Sequence, residues 1–215
     1  MFNLRDIPPV TKIIILLNVA VFVIGKYLMP DELSYYLPLW YFKLPWFRPY
    51  QILSSMFMHG GWLHLIVNMV AFYSFGTWLE RFWGSKKFFS FYMISGIGSA
   101  IMVLAIGYLQ VTFFNYDIDC MNVLDGGNCI HPVVGASGAI TGIFAGFALM
   151  MPDAPLQIIL IPINIKAIHV LYGFLTISVV GLFGILPIGL SHEGHLGGLL
   201  TGMLLFKTSW LDRMT

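Results

Sequence analysis

Three short polar strings interrupt otherwise apolar sequence: Val133-Val134-Gly135-Ala136-Ser137-Gly138-Ala139, His64-Leu65-Ile66-Val67-Asn68 and Ser191-His192-Glu193-Gly194-His195-Leu196-Gly197-Gly198. Polar groups are costly in hydrocarbon, so side chains of this kind need partners or a task there. A hydroxyl, an imidazole and a His/Asn pair are the parts that acyl transfer uses. The serine supplies a nucleophile, a neutral histidine removes its proton, and further donors stabilise the oxyanion that develops. The chemistry expected of such a set is hydrolysis of a peptide bond within a bilayer.

Each residue also has a plainer reading. Ser137 lies in a run of small residues, and small residues line close helix interfaces in membranes. Gly138, Gly142 and Gly146 recur every four positions and make one such face. His195 tips the balance towards chemistry, because Gly198 and Gly202 follow it at i+3 and i+7 on the same helix face. Packing the two glycine faces together would bring His195 towards Ser137. His192 and Glu193 fit a water-facing role at the interface. His64 and Asn68, four apart, stack on one face; they are either donors to an oxyanion, with the Ser137 backbone N–H, or a hydrogen-bonded pair between helices. His59 reads as structural or substrate-lining, and His131 and His169 as core or surface residues. No acid stands where it could complete a triad, so a Ser137–His195 dyad is expected. Glu80-Arg81-Phe82-Trp83-Gly84 reads as a structural tie to the following turn.

The elements that must position these residues follow from composition. The chain has 215 residues, 58% hydrophobic and 10% charged, with mean hydropathy +0.83. A soluble domain carries about 25% charged residues, so this is an all-α membrane protein. A net charge of +1 gives no basic field for nucleic acid. Six spans are expected, at about 10–28, 52–79, 87–110, 133–151, 167–186 and 192–208, in a single domain over residues 1–215. The first is long enough to span and is not followed by a small-residue cleavage site, so it reads as a helix and not a leader. Arg5, Lys12, Arg81, Lys86, Lys87, Lys166, Lys207 and Arg213 fall on one side, and only Lys26, Lys43 and Arg48 on the other. That bias puts both termini in the cytoplasm.

Residues 29–50 hold Trp40, Tyr41, Phe42, Trp46, Phe47 and Tyr50 among Pro38, Pro45 and Pro49, which predicts a structured loop in the outer interface, not one continuous helix. Pro152 to Lys166 reads as an inner interfacial loop. Residues 186–191 are expected to cap the site. Cys120 and Cys129 share one polar loop, as a disulfide or as two thiols.

Taken in order, His64-x-x-x-Asn68, Gly135-Ala136-Ser137-Gly138 and His195-x-x-Gly198-x-x-x-Gly202, with Phe57-Met58-His59 and Glu80-x-x-x-Gly84, resemble the rhomboid intramembrane serine proteases over essentially the whole chain. The resemblance implies Ser137 as nucleophile, His195 as general base, and His64, Asn68 and the Ser137 amide as oxyanion hole. It implies Gly198 as a close-packing position below the base. It also implies transmembrane protein substrates cut next to a small residue, with no metal or organic cofactor. Family members often carry Trp-Arg before the second span, where this chain has Tyr50-Gln51.

The other readings are a catalytically weak relative that binds membrane clients, a proton relay or transporter, and a metal or haem protein using His59, His64 and His195. A relay would spread polar residues through the full membrane depth, whereas here they cluster in the outer half. No His-Glu-x-x-His string occurs. Compactness points to a bacterial inner membrane with the site opening outward.

Overall fold

The computed structural model describes residues 6–118, 130–157, 164–183 and 191–208. Helix α1 runs Pro9–Tyr27, with proline in its first turn where no intrahelical N–H is missed. Thr11, Ile14, Asn18 and Phe22 form its buried stripe, while Ile13, Leu16 and Leu17 face outward. An outward apolar face suits lipid.

Residues 29–57 form a folded excursion containing α2 (Pro30–Tyr36), α3 (Gln51–Ser54) and a 3-10 turn at Ser55–Phe57. Its latch is Gln51, which is fully buried. Gln51 Nε2 donates to the carbonyls of Tyr36 (3.2 Å) and Trp46 (3.1 Å), and its Oε1 accepts from Arg48 N–H (3.1 Å). Ser54 Oγ donates to Leu37 O (2.8 Å) and Trp40 Nε1 to Tyr35 O (2.8 Å). Trp40 and Trp46 meet edge to face at 5.8 Å. The aromatic loop is thus structured, as its composition predicts.

Helix α4 (Trp62–Trp83) ends at Gly84, whose φ of 81° suits glycine, and α5 (Ser85–Phe113) begins immediately after it. Glu80 sits under this turn, 2% exposed. It accepts from Ser85 Oγ–H (2.6 Å), and also from Val10 N–H (2.9 Å), Thr11 N–H (2.7 Å) and the Thr11 hydroxyl (2.7 Å). The tie after α4 is therefore also a carboxylate cap on the N-terminus of α1.

Helices α6 (Ser137–Met150) and α8 (His192–Lys207) pack against each other and α5 backbone to backbone. A Cβ on Gly202 would lie 2.7 Å from Gly142 Cα, and one on Gly142 would lie 2.9 Å from Gly198 O. Thr141 Oγ1 lies 2.8 Å from Gly138 O and 3.2 Å from His195 O, bridging the two helices. Between them in sequence, β1 (Pro155–Gln157) pairs antiparallel with β2 (Asn164–Lys166), Leu156 opposite Ile165. The exposed pair Lys166–Asp153 (2.7 Å) braces this ribbon, and the ammonium holds the Asp153 carboxyl below its ordinary range. Helix α7 (Ala167–Gly181) buries only Ala167, Leu171 and Ser178.

Helices α1, α4 and α5 are each long and apolar enough to cross a membrane, and α6 and α7 are shorter apolar helices. The protein is a membrane helical bundle. Three expectations are corrected. The segment expected from residue 52 is broken: residues 51–57 form short turns, and the helix starts at Trp62 after the extended Gly61 and runs on to Trp83. The segment expected from residue 133 is helical only from Ser137, because Val133 pairs with Leu39 and Gly135 takes φ 130°. The interfacial stretch 152–166 contains paired strands.

Candidate active site

Ser137 occupies the first position of α6. The chain reaches it through an isolated antiparallel bridge, Leu39 N–H to Val133 O (2.9 Å) and Val133 N–H to Leu39 O (3.0 Å). It then turns at Gly135, whose N–H donates to Ser55 O (2.9 Å). Only glycine fits this turn: the φ is left-handed, and a Cβ would lie 2.9 Å from both Cε1 and Nε2 of His64. The serine hydroxyl is thereby held at a helix start, where first-turn N–H groups have no intrahelical partner.

His195 is 6% exposed, and its Nε2 lies 2.9 Å from Ser137 Oγ. Three features hold the ring. Ser191 caps α8 by accepting from Gly194 N–H (3.2 Å), which fixes the first turn. The glycines of α6 and α8 set the interhelical distance. Phe174 of α7 packs against the imidazole at 5.4 Å between centroids. Nδ1 of His195 is buried without a hydrogen-bond partner among the described residues. Among the described residues no carboxylate meets Nδ1, so the contact is a Ser–His pair without an acidic third member; a ring protonated at Nδ1 would leave Nε2 able to accept a proton from the hydroxyl.

His64 and Asn68 project from α4 into the same cavity, which measures about 730 Å³ and also presents Ser137, Phe174, Glu193 and His195. His64 Nδ1 accepts a long bond from Gly60 N–H (3.5 Å), an arrangement that suits the tautomer with its proton on Nε2, and both Cε1 and Nε2 face the Gly135 turn. Asn68 is 6% exposed, and its Nδ2 has no partner among the described residues. A buried donor without an acceptor is costly, and an oxyanion is the kind of group that would satisfy it.

His59 is buried with its ring 5.0 Å from that of His64, and His131 lies on the cavity rim. His169 is exposed on α7. His192, expected to face water, does not: it is 6% exposed, and its ring fills the space beside Gly181 of α7, where a side chain would collide with it. Helix α7 covers this side of the bundle, its C-terminal end packing on the start of α8, the next helix in the chain. Gly138, Gly198 and Gly202 all lie in the packed seam, Gly138 against Ser99. Cys120, Cys129 and residues 186–190 lie outside the described residues. No group of three or more potential metal ligands occurs among the described residues.

Sequence reasoning missed Phe174, Thr141 and Gly60. Thr141 stands four residues after Ser137, so it was accessible to the same spacing argument that singled out the glycines. Phe174 carried no such signal.

A model of the Rhomboid domain family matches residues 47–210. The match covers α3 to α8, and with them Gly60, His64, Asn68, Gly135, Ser137, Phe174, Glu193 and His195, and the chain belongs to the rhomboid family. It is 31% identical over 112 residues to Rhomboid protein 1, mitochondrial, of Saccharomyces cerevisiae (52% of this chain, 28% of that protein). It is 28% identical over 157 residues to Rhomboid protease AarA of Providencia stuartii (70% and 52%). Presenilin-associated rhomboid-like protein A, mitochondrial, of Danio rerio is 29% identical over 156 residues (71% and 35%). The chain thus spans about half the length, or less, of these curated relatives.

Proposed function

We propose that this protein is an intramembrane serine endopeptidase that cuts transmembrane segments of other proteins near the outer face of the bilayer. The observation that carries the reading is the 2.9 Å contact between Ser137 Oγ and His195 Nε2, made by residues 58 positions apart at the wall of a cavity that also holds His64 and Asn68.

A substrate helix enters sideways from lipid between α4 and α7. The sparse burial of α7 supports this entrance, since little packing has to be broken there. A helical peptide bond is shielded, so the segment unwinds, and its freed backbone groups are satisfied by extended chain beside the site. Ser137 attacks the carbonyl carbon as His195 takes its proton. The oxyanion is received by the Ser137 N–H, His64 and Asn68. His195 then protonates the leaving amine, and the acyl-enzyme is released by water from the outer side. The chemistry asks for no metal or organic cofactor.

The same reading includes six crossings, counting α6, α7 and α8 with the three long helices, and one membrane domain over residues 1–215. The lysine and arginine bias supports cytoplasmic termini, and a bacterial inner membrane is the proposed location.

The test is labelling of purified, detergent-solubilised protein with a fluorophosphonate probe, with Ser137→Ala and His195→Ala alongside. Labelling of wild type that is lost in both variants is the expected result. A folded wild type that stays unlabelled, or an equally labelled Ser137→Ala, overturns it and moves the client-binding reading to the front.

A further inference from the structure

Among the described residues, the cavity beside Ser137 and His195 carries one carboxylate. Its described wall is formed largely by apolar side chains and backbone, with His64, His131 and His195 the basic groups, and no described lysine or arginine contributes to it. The carboxylate is Glu193, in the first turn of α8, two residues before His195. Its one hydrogen bond among the described residues comes from Ser191 Oγ–H, at 3.0 Å to Oε1. That bond holds the side chain at the start of α8. No described cation pairs with it; the Lys166–Asp153 pair is the salt bridge seen among the described residues, and it lies elsewhere, on the exposed ribbon.

An acid in the first turn of a helix favours the helix dipole wherever it stands. That alone would account for Glu193 on a face turned to water. Here the side chain is half-buried and lines the cavity that has to receive the unwound substrate. An uncompensated negative charge in a confined, partly desolvated site discriminates strongly between substrates by sign, because the interaction with a charge a few ångströms away is screened less than in bulk water. It also repels carboxylates, so it selects against acidic segments as well as for basic ones.

We propose that Glu193 is a specificity-determining residue that favours substrates carrying a lysine or arginine within three residues of the scissile bond. The inference rests on the protease reading. The chemistry of selection is an ion pair between the Glu193 carboxylate and an ammonium or guanidinium of the bound chain, formed while Ser137 and His195 act on the neighbouring carbonyl. A basic residue near the cut also suits the entry route, because a long cationic side chain can reach the membrane interface as the substrate helix unwinds.

The experiment uses the full chain in proteoliposomes and a single-span model substrate with alanine before the cut. Lysine, glutamine and glutamate are placed in turn at each of three positions on either side. Initial rates are measured, and cut sites are mapped by mass spectrometry. The readout is the ratio of lysine to glutamine rates within each enzyme, so that a change in overall rate cancels. Wild type is expected to show a ratio of about ten or more at one or more positions, equivalent to about 1.4 kcal/mol. The ratio falls to near one in Glu193→Gln, and Glu193→Lys favours the glutamate substrate instead. Glu193→Asp, which keeps the charge and the helix-start acid, retains part of the ratio. A role confined to capping α8 would slow every substrate alike and leave the ratios unchanged; ratios near one in wild type, or ratios that persist in Glu193→Gln, overturn the proposal. Fluorophosphonate labelling of wild type separates the two failures. Labelling without charge selection sinks this proposal alone, and absence of labelling sinks the protease reading with it.

Discussion

Helices α6 and α7 are nearly equal in length and equally apolar, yet ten of the fourteen residues of α6 are buried against three of the fifteen in α7. The difference lies in side-chain size and spacing. Helix α6 repeats glycine every four residues and meets the glycines of α8, so backbones touch and a Cβ at Gly142 or Gly202 would collide. Helix α7 offers bulkier apolar side chains, with Tyr172, Ile177 and Val179 exposed. Lipid chains are as apolar as these residues, so nothing drives them inward. In a bilayer, apolarity puts a helix in the membrane, and small residues decide which helices pack. The consequence for function is a division of labour. The tight pair fixes the Ser137–His195 distance, while α7 touches His195 chiefly through Phe174 and His192 through Gly181.

Substitutions in the two helices and at the site test this division of labour. The largest effect is expected at the junction of the tight pair. Ser137→Ala should reduce turnover of a model transmembrane substrate by roughly 10³-fold or more, since loss of a nucleophile removes the covalent route. Residual cleavage within tenfold of wild type would contradict that. Next, Asn68→Ala should lower kcat by roughly 10²–10³-fold, the range for loss of one oxyanion donor. A change confined to KM would assign Asn68 to substrate binding or bundle packing instead.

The packing contrast itself is tested by a matched pair. Gly198→Ala forces a methyl group against Gly138 O and Thr141, and should cost roughly 1–3 kcal/mol, read as a lower thermal midpoint in detergent. Gln51→Ala, in the outer excursion, leaves the Tyr36 and Trp46 carbonyls and the Arg48 N–H without their partner. It should cost a similar or smaller amount, about 1–3 kcal/mol, and expose residues 29–50 to limited proteolysis. The smallest effect belongs to α7: nothing stands within 4 Å of a Cβ on Gly173, so Gly173→Ala should leave the midpoint unchanged or raise it by less than about 1 kcal/mol through helix propensity. A loss at Gly173 as large as that at Gly198 would refute the account of α7 as the loosely held element.

Glu80 shows how a sequence reading can be right in kind and incomplete in reach. Its tie to the turn after α4 is local, through Ser85, and was legible from spacing. Its cap on Val10 and Thr11 joins residues about seventy positions apart and was not. Tyr50-Gln51 is a similar case. The departure from the family pattern was visible in the sequence, but the three hydrogen bonds by which Gln51 anchors the loop were not. The misjudged helix starts at residues 52 and 133 have one cause. Both stretches are apolar enough to continue a helix, and what stops them is backbone geometry at Gly61 and Gly135, together with pairing of Val133 to Leu39.

By itself the sequence determined that this chain is a helical membrane protein, that its polar residues gather in three strings, and that Gly138, Gly142, Gly198 and Gly202 form close-packing faces. Hydropathy and periodicity are local properties, and a local reading suffices for them. Only the tertiary structure decided that Ser137 Oγ and His195 Nε2 stand 2.9 Å apart, that His192 is buried beneath α7, and that Glu193 lines the cavity. Those facts depend on how separate helices are set against one another in space. That setting is fixed by backbone contacts of a few ångströms, which no single stretch of the chain encodes alone.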